Sequence, residues 1–141
     1  MTKDICLDTG LLTLFYSKNP PNKIIELMNQ IKQKKIRAYI VWPVLIEVYK
    51  HLCILRGKNY AESTITSLIN NYPVNIINLD ISLILKAGAL KCQHRTTLSY
   101  NDCIIIAYSL NKKVVLHTTE KDLPKIPNLT IKKYQFKKDL S

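Results

Sequence analysis

The chain has very little glycine and lacks the glycine-rich motifs that cradle phosphate groups. Only three glycines occur in 141 residues, and neither G-x-x-x-x-G-K-[ST] nor G-x-G-x-x-G is present. Such loops need glycine wherever the backbone approaches a phosphate closely. The sequence therefore argues against a nucleotide site built on a glycine loop.

The chain also lacks the cysteine spacing of a zinc site and the long apolar run of a membrane span. Its four cysteines include no C-x-x-C pair, and three of them lie in apolar runs. We expect reduced core cysteines rather than a disulfide framework. The N-terminus leads directly into a short strand-like run and does not resemble a signal peptide. We therefore expect a cytoplasmic protein.

Acidic residues are scarce relative to basic residues. Ten Asp and Glu stand against 21 Lys and Arg, which gives a formal net charge of +11. Only three of the bases are arginines, and lysine acts on phosphates as a point charge without the planar fork that reads bases. Either a polyanion binds mainly through its backbone, or the lysines form an ordinary solvated surface. The composition leaves both explanations open.

Short apolar runs alternate with helical patterns along the chain. We predict strands at 5–7, 38–42, 74–79, 114–116 and 129–131, the last at a sheet edge. Helices are predicted at 11–16, after a capping Asn22, at 44–55 ending at Gly57, at 59–70, at 81–91 after Asp80, and after Ser99. This alternation is typical of an α/β domain with a parallel sheet. The length suits one domain over 1–141, and we expect its lysine-bearing tail, with Lys132, Lys133, Lys137 and Lys138, to be mobile at the end.

The most informative stretch is 98–107, where a polar start precedes an apolar run. Ser99 and Asp102 stand three residues apart, as in the capping box of a helix. The residues that follow are apolar on every side, which predicts a buried helix. Asp102 then has two open interpretations: it only caps the helix, or it also brings a charge to a site at the rim of the core.

Glu47 is the only acid of its predicted helix and lies among apolar residues. A carboxylate in such surroundings needs a partner or a metal ion. The alternatives are that Glu47 faces solvent or pairs with Lys50 or His51. The residue alone does not decide between these interpretations.

Four acids are predicted to meet at one rim of the sheet. Asp8 ends the first strand, Glu120 follows the fourth, and Glu47 and Asp102 lie in the first turns of helices. Sites in parallel sheets form at the carboxyl ends of the strands. Four of ten acids at one rim of a basic protein point to a divalent cation, because Mg²⁺ and Mn²⁺ prefer carboxylate oxygens.

The order and spacing of these segments resemble those of PIN domains, most closely small VapC-type ribonuclease toxins. The resemblance covers nearly the whole chain and rests on Asp8-Thr9, on Pro43 to Tyr49, on Leu98 to Asp102 and on Thr118 to Leu123. It implies a three-layer α/β/α fold whose mainly parallel sheet has about five strands in the order 3-2-1-4-5. It also implies a Mg²⁺- or Mn²⁺-dependent endoribonuclease acting on single-stranded RNA. The resemblance further implies a homodimer silenced by a small antitoxin.

The resemblance assigns a role to each acid. Asp8, Glu47 and Asp102 would bind a first metal ion, and Glu120 or Asp122 would help with a second. A metal-held water would attack the phosphorus in line. The ions would stabilise the charge that develops on the phosphoryl oxygens.

Two threonines also have roles that the resemblance implies, and three residues differ from the usual pattern of the family. Thr9 and Thr118 would orient carboxylates or the water, although turn chemistry explains them equally well. Gly10 stands where the family usually has Asn or Ser, and Leu123 stands where it usually has Phe. Glu120 replaces the usual Asp and adds one methylene at a ligand position.

Three other functions are weighed against this one. The family also includes nucleases that process ribosomal RNA. A receiver-like signalling module would use Asp80 as phosphoryl acceptor with Thr118, but the first strand ends in a single acid where that chemistry needs an acidic pair. A metal-free module that binds RNA or protein would not need the intact set of acids.

Overall fold

The structure is a computed structural model that describes residues 3–134. Within them, the elements are β1 (Lys3–Leu7), α1 (Thr9–Phe15), α2 (Asn22–Lys32), β2 (Ile36–Val41), α3 (Trp42–Arg56), α4 (Lys58–Asn71), β3 (Asn75–Ile77), α5 (Ile81–Gln93), α6 (Tyr100–Lys112), β4 (Val115–Thr118) and β5 (Ile131–Lys133). The expected mobile end of the chain falls on 135–141, outside the described residues. Lys132 and Lys133, predicted as part of that tail, belong instead to β5.

The five strands form one parallel sheet in the order β3-β2-β1-β4-β5. This confirms the predicted α/β class and the strand order that the resemblance implied. The chain returns to the centre after β3, so β1 lies between β2 and β4. Because all strands run in the same direction, their carboxyl ends meet at one edge, and Leu7 lies opposite His117 there.

Helices cover both faces of the sheet. Successive side chains of a strand point to opposite faces. Cys6 contacts Ser109 of α6, whereas Ile5 lines a cavity together with Leu27 of α2. The two helices therefore lie on opposite faces, which makes the domain three-layered. The core between the layers is formed by apolar side chains of β1, β2, α3 and α6 among others.

The predicted buried helix and two predicted caps are confirmed. Cys103 and residues 105–109 of α6 are all buried. Asp80 accepts a hydrogen bond from the Leu83 N–H at 2.8 Å, and Ser99 caps α6. Asn22, predicted as a cap, is instead the first residue of α2, because Pro21 precedes it in extended conformation without a side-chain cap.

The bounds of all five strands and the position of one cysteine differ from the prediction. Trp42 starts α3 rather than ending β2, since Pro43 fixes a helical φ beside it. The third strand keeps only the three residues that pair with β2, and the fourth extends to Thr118, which pairs with β5. All four cysteines are free, but Cys92 is exposed rather than in the core. No helix in residues 3–134 is long and apolar enough to cross a membrane.

Candidate active site

Asp8 lies where the carboxyl ends of β1 and β4 meet, and it is held by three hydrogen bonds. Its Oδ1 accepts from the Thr9 N–H at 2.7 Å, and its Oδ2 accepts from Thr118 Oγ1 at 2.5 Å. Its own N–H donates to the His117 carbonyl at 3.1 Å. The residue is only 5% exposed. Asp8 is therefore a buried, oriented carboxylate that also caps α1.

Burial dominates the electrostatics of Asp8. The pKa of its carboxyl rises from 3.8 to about 6, mainly because the group is removed from water. The negative charges of Asp102 and Glu120 contribute in the same direction, whereas the hydrogen bonds from Thr118 and Thr9 favour the ionised form without offsetting the burial. A cation at this position would remove the penalty, because it would stabilise the carboxylate directly.

Thr118 connects two of the predicted acids. Its side chain is fully buried, and its hydroxyl donates to Asp8 while accepting from the Glu120 N–H at 3.0 Å. Its carbonyl accepts from the Tyr134 N–H at 2.9 Å, so the backbone is fixed as well. The orienting role predicted for Thr118 thus has a geometric basis. Thr9 differs: its Oγ1 is buried without a hydrogen-bond partner among the described residues.

Asp102 fulfils the capping interpretation and also contributes charge to the rim. Ser99 Oγ accepts from the Asp102 N–H at 3.0 Å, and Asp102 Oδ2 accepts from the Ser99 N–H at 3.1 Å. At the same time its charge raises the pKa of both Asp8 and Glu120. The two interpretations of Asp102 are therefore compatible, since one oxygen serves the cap.

Glu47 is half-buried on α3 and accepts a hydrogen bond from Asn101 Nδ2 at 3.2 Å. The alternative pairing with Lys50 or His51 is not seen within residues 3–134, and the His51 ring instead contacts Thr13 Oγ1 at 3.0 Å. Asn101 was not among the predicted site residues. Its position beside Asp102 at the start of a helix was the only available signal.

Glu120 is exposed but belongs to the acidic group. Partial burial raises the pKa of its carboxyl, and Asp102, Glu47 and Asp122 raise it further, in that order. Asp122 is also exposed, and its carboxylate makes no hydrogen bond in the described part of the chain. Glu120 therefore lies close enough to Asp102, Glu47 and Asp122 for their charges to act on its carboxyl.

These acids have no basic partner within the described residues. The ion pairs found in residues 3–134 join Arg37 to Asp4 and Lys58 to Glu62, both outside the group. In the same residues no three acidic, histidine or cysteine side chains are arranged to hold a metal ion as they stand. The donor set nevertheless suits a hard divalent cation, because it consists of carboxylates with unneutralised mutual repulsion. Binding would require the carboxylates to draw together.

Comparison with solved structures shows the same fold in toxin–antitoxin proteins. VapBC2 from Rickettsia felis, bound to a promoter DNA fragment, matches with a TM-score of 0.76 at 18% identity, covering 94% of this chain and 99% of that chain. DNA-bound VapBC from Salmonella typhimurium gives 0.72 at 19% identity, covering 94% and 98%. VapC20 from Mycobacterium tuberculosis, a toxin that cleaves the sarcin-ricin loop, gives 0.64 at 16% identity, covering 79% and 86%.

Sequence comparison gives the family. No curated protein matches the chain significantly. The family model described as "PIN domain" matches residues 5–129, which include Asp8, Glu47, Asp102 and Glu120. That match covers most of the chain, and the strand order of the sheet agrees with it. The chain therefore belongs to the PIN domain family.

Proposed function

We propose that this protein is a Mg²⁺- or Mn²⁺-dependent endoribonuclease that cleaves single-stranded RNA as the toxin of a toxin–antitoxin pair. The observation that carries the proposal is the group of Asp8, Glu47, Asp102 and Glu120 at one rim without a basic partner in residues 3–134. The PIN fold and its similarity to VapBC proteins support it. The excess of lysine supports a polyanionic substrate.

Each proposed site residue has a distinct role in metal binding or in orienting the ligands. Asp8, Glu47 and Asp102 would hold a first ion, and Glu120 would help with a second, with Asp122 as the alternative. Bound ions would supply an activated water and stabilise the charge on the phosphoryl oxygens. Thr118 would keep Asp8 oriented through its hydroxyl. The hydroxyl of Thr9, which has no partner among the described residues, is available to hydrogen-bond a water or a carboxylate.

Asp102→Asn and Asp8→Asn should abolish RNA cleavage while the protein stays folded. The matched control is Asp80→Asn, which removes a carboxylate from the α5 cap, where Asn caps equally well. The measurement is cleavage of a single-stranded RNA by purified variants, with circular dichroism to verify folding. Full activity of Asp102→Asn would refute the nuclease assignment.

Mn²⁺ should raise the melting temperature of the protein, and Asp8→Asn should reduce that rise. A ligand present at about 100 times its dissociation constant adds roughly 2.7 kcal/mol of stability. Thermal scans over a Mn²⁺ and Mg²⁺ titration measure the effect. A wild-type protein that does not respond to millimolar Mn²⁺ would favour the metal-free binding module instead.

Kinetics can decide between the two candidates for the fourth acid. Because Glu120 interacts with Asp102 and Glu47, Glu120→Gln should slow cleavage while the first metal still binds. Asp122→Asn should retain activity, since its exposed carboxylate makes no hydrogen bond in residues 3–134. The opposite result over a Mn²⁺ titration would assign the ligand role to Asp122.

The partners proposed are a second copy of the chain and a small antitoxin that covers the acidic rim. Solved structures with the same fold include a toxin–antitoxin complex. An apolar surface also supports self-association: Ile81, Ile84 and Leu85 on α5 are 68%, 50% and 66% exposed, and Tyr100 is 73% exposed. Ile84 and Tyr100 also line a cavity of about 670 Å³ between α5 and α6.

Light scattering after size exclusion tests the dimer. We expect a dimer at micromolar concentration, and a monomer for Leu85→Glu, because a charge would be buried in an apolar interface. Lys86→Gln on the same helix is the matched control, because it changes the net charge by the same one unit. A wild-type monomer would contradict the dimer without affecting the nuclease assignment.

A further inference from the structure

Gly10 in the first turn of α1 is in direct contact with Thr119, just after β4. A Cβ atom placed on Gly10 would overlap with Thr119 Oγ1, whereas it would lie 3.6 Å from Thr119 Cβ. The first approach is far inside van der Waals contact, and the second is an ordinary packing distance. The Thr119 hydroxyl therefore occupies the space that any side chain at position 10 would need.

This contact adds to the connections between the two chain segments of the site. The Asp8 N–H donates to the carbonyl of His117, and Thr118 Oγ1 joins the Asp8 carboxylate to the Glu120 N–H. Thr119 lies between Thr118 and Glu120, so its backbone is fixed on both sides. A side chain at position 10 would force Thr119 either to rotate within this constraint or to move together with Glu120.

We propose that Gly10 and Thr119 form a size-matched pair that sets how closely the segment carrying Glu120 approaches the segment carrying Asp8. Both are positioning residues, since they act through the acids on either side of them. The effect on metal binding rests on the proposed function, because the spacing matters for a cation only if Asp8 and Glu120 are ligands. The packing itself does not depend on that function.

A double-mutant cycle tests the pair. Gly10→Ala should lower the melting temperature in EDTA and weaken Mn²⁺ affinity by roughly 10- to 100-fold, the usual effect of disturbing the supports of a metal ligand. Gly10→Ala/Thr119→Ala should recover the affinity of Thr119→Ala alone, because the two methyl groups would then meet at about the 3.6 Å packing distance. Gly10→Ala/Thr119→Val should remain impaired, because valine keeps the branched shape.

Gly88→Ala is the matched control, since a Cβ there meets no atom within 4 Å. It should leave Mn²⁺ affinity unchanged in titration calorimetry. The pair is refuted if Gly10→Ala behaves as wild type, or if Thr119→Ala does not rescue it. If Gly10→Ala fails to fold, folding of the Thr119→Ala double variant supports the pair and its failure overturns it.

The two proposals can fail separately. If the wild-type protein binds no Mn²⁺, the proposed function fails, but melting temperatures of the four variants of the cycle in EDTA still decide on the pair. Rescue of stability by Thr119→Ala supports size matching, and its absence overturns it. If the wild type binds Mn²⁺ and Gly10→Ala lowers stability without changing the Mn²⁺ affinity, the pair has no influence on the metal and the inference is wrong.

Discussion

At the scale of single residues, the feature that matters most is the buried carboxylate of Asp8, whose ionised form costs free energy. The folded-state pKa of Asp8, about 6, lies above its ordinary value of 3.8. An acid whose pKa is raised by folding is destabilising where it is ionised. Stability should therefore fall as the pH rises from about 4 to about 6 and then stay at the lower level.

Asp8→Asn should abolish this fall in stability with rising pH. At one pKa unit per 1.36 kcal/mol, the two-unit shift corresponds to at most about 3 kcal/mol. The introduced amide can still accept from the Thr9 N–H and donate to Thr118 Oγ1, so the local hydrogen bonds survive. In EDTA, urea unfolding at about pH 4 and about pH 7 gives the free energy of unfolding of both proteins. The stability of the variant relative to wild type should be greater at the higher pH. A difference that does not change with pH would contradict the penalty.

Thr118→Val should destabilise the protein by roughly 1–3 kcal/mol, since it removes one partner of buried hydrogen bonds. The Thr118 hydroxyl lowers the pKa of Asp8, so its loss should raise that pKa further and shift the pH window of instability upward. Thr118→Ser keeps the hydroxyl and serves as control. The pH dependence of urea unfolding gives both quantities, and equal profiles for the two variants would refute the role of the hydroxyl.

At the scale of helices and strands, glycine has opposite effects at two positions. Gly57 joins α3 to α4 at φ 90° and ψ 171°, a conformation essentially restricted to glycine. Gly88 lies inside α5 with free space around its Cα, where glycine only weakens the helix. Substitution by alanine should therefore destabilise the protein at position 57 and stabilise it at position 88.

Gly57→Ala should cost about 1–3 kcal/mol through backbone strain. Gly88→Ala should stabilise by roughly 0.5–1 kcal/mol, the difference in helix propensity. Chemical denaturation of both variants at the same protein concentration measures the two changes in the free energy of unfolding. Destabilisation by Gly88→Ala in a monomeric sample would contradict the open surroundings of that residue.

At the scale of the whole molecule, the net charge of +11 should govern RNA binding. Lysines that neutralise phosphates release counterions, with a slope of about −0.7 per contact for single strands in a plot of log affinity against log salt. About five contacts would give a slope near −3.5 by this relation. The inactive Asp102→Asn variant and a labelled RNA permit the titration. A slope near zero would show that the lysine-rich surface is not the binding face.

Local patterns along the chain were enough to predict the main elements and to single out the acids. Alternating apolar runs and helical patterns indicated the α/β class, since periodicity reflects burial directly. The capping box at Ser99 and Asp102 and the cap at Asp80 were readable because caps depend on residues three positions apart. Strand ends do not follow from local patterns: His117 and Thr118 belong to β4 through pairing with other strands.

How the acids are held depends on contacts between distant segments. The hydrogen bond from Thr118 to Asp8 joins residues 110 positions apart, and that from Asn101 to Glu47 joins residues 54 apart. The contact of Gly10 with Thr119 likewise exists only because β1 and β4 are neighbours in the sheet. Local sequence specifies which groups can ionise or cap. The burial that raises the pKa of Asp8, and the absence of a basic partner in residues 3–134, follow from the packing of those segments against one another.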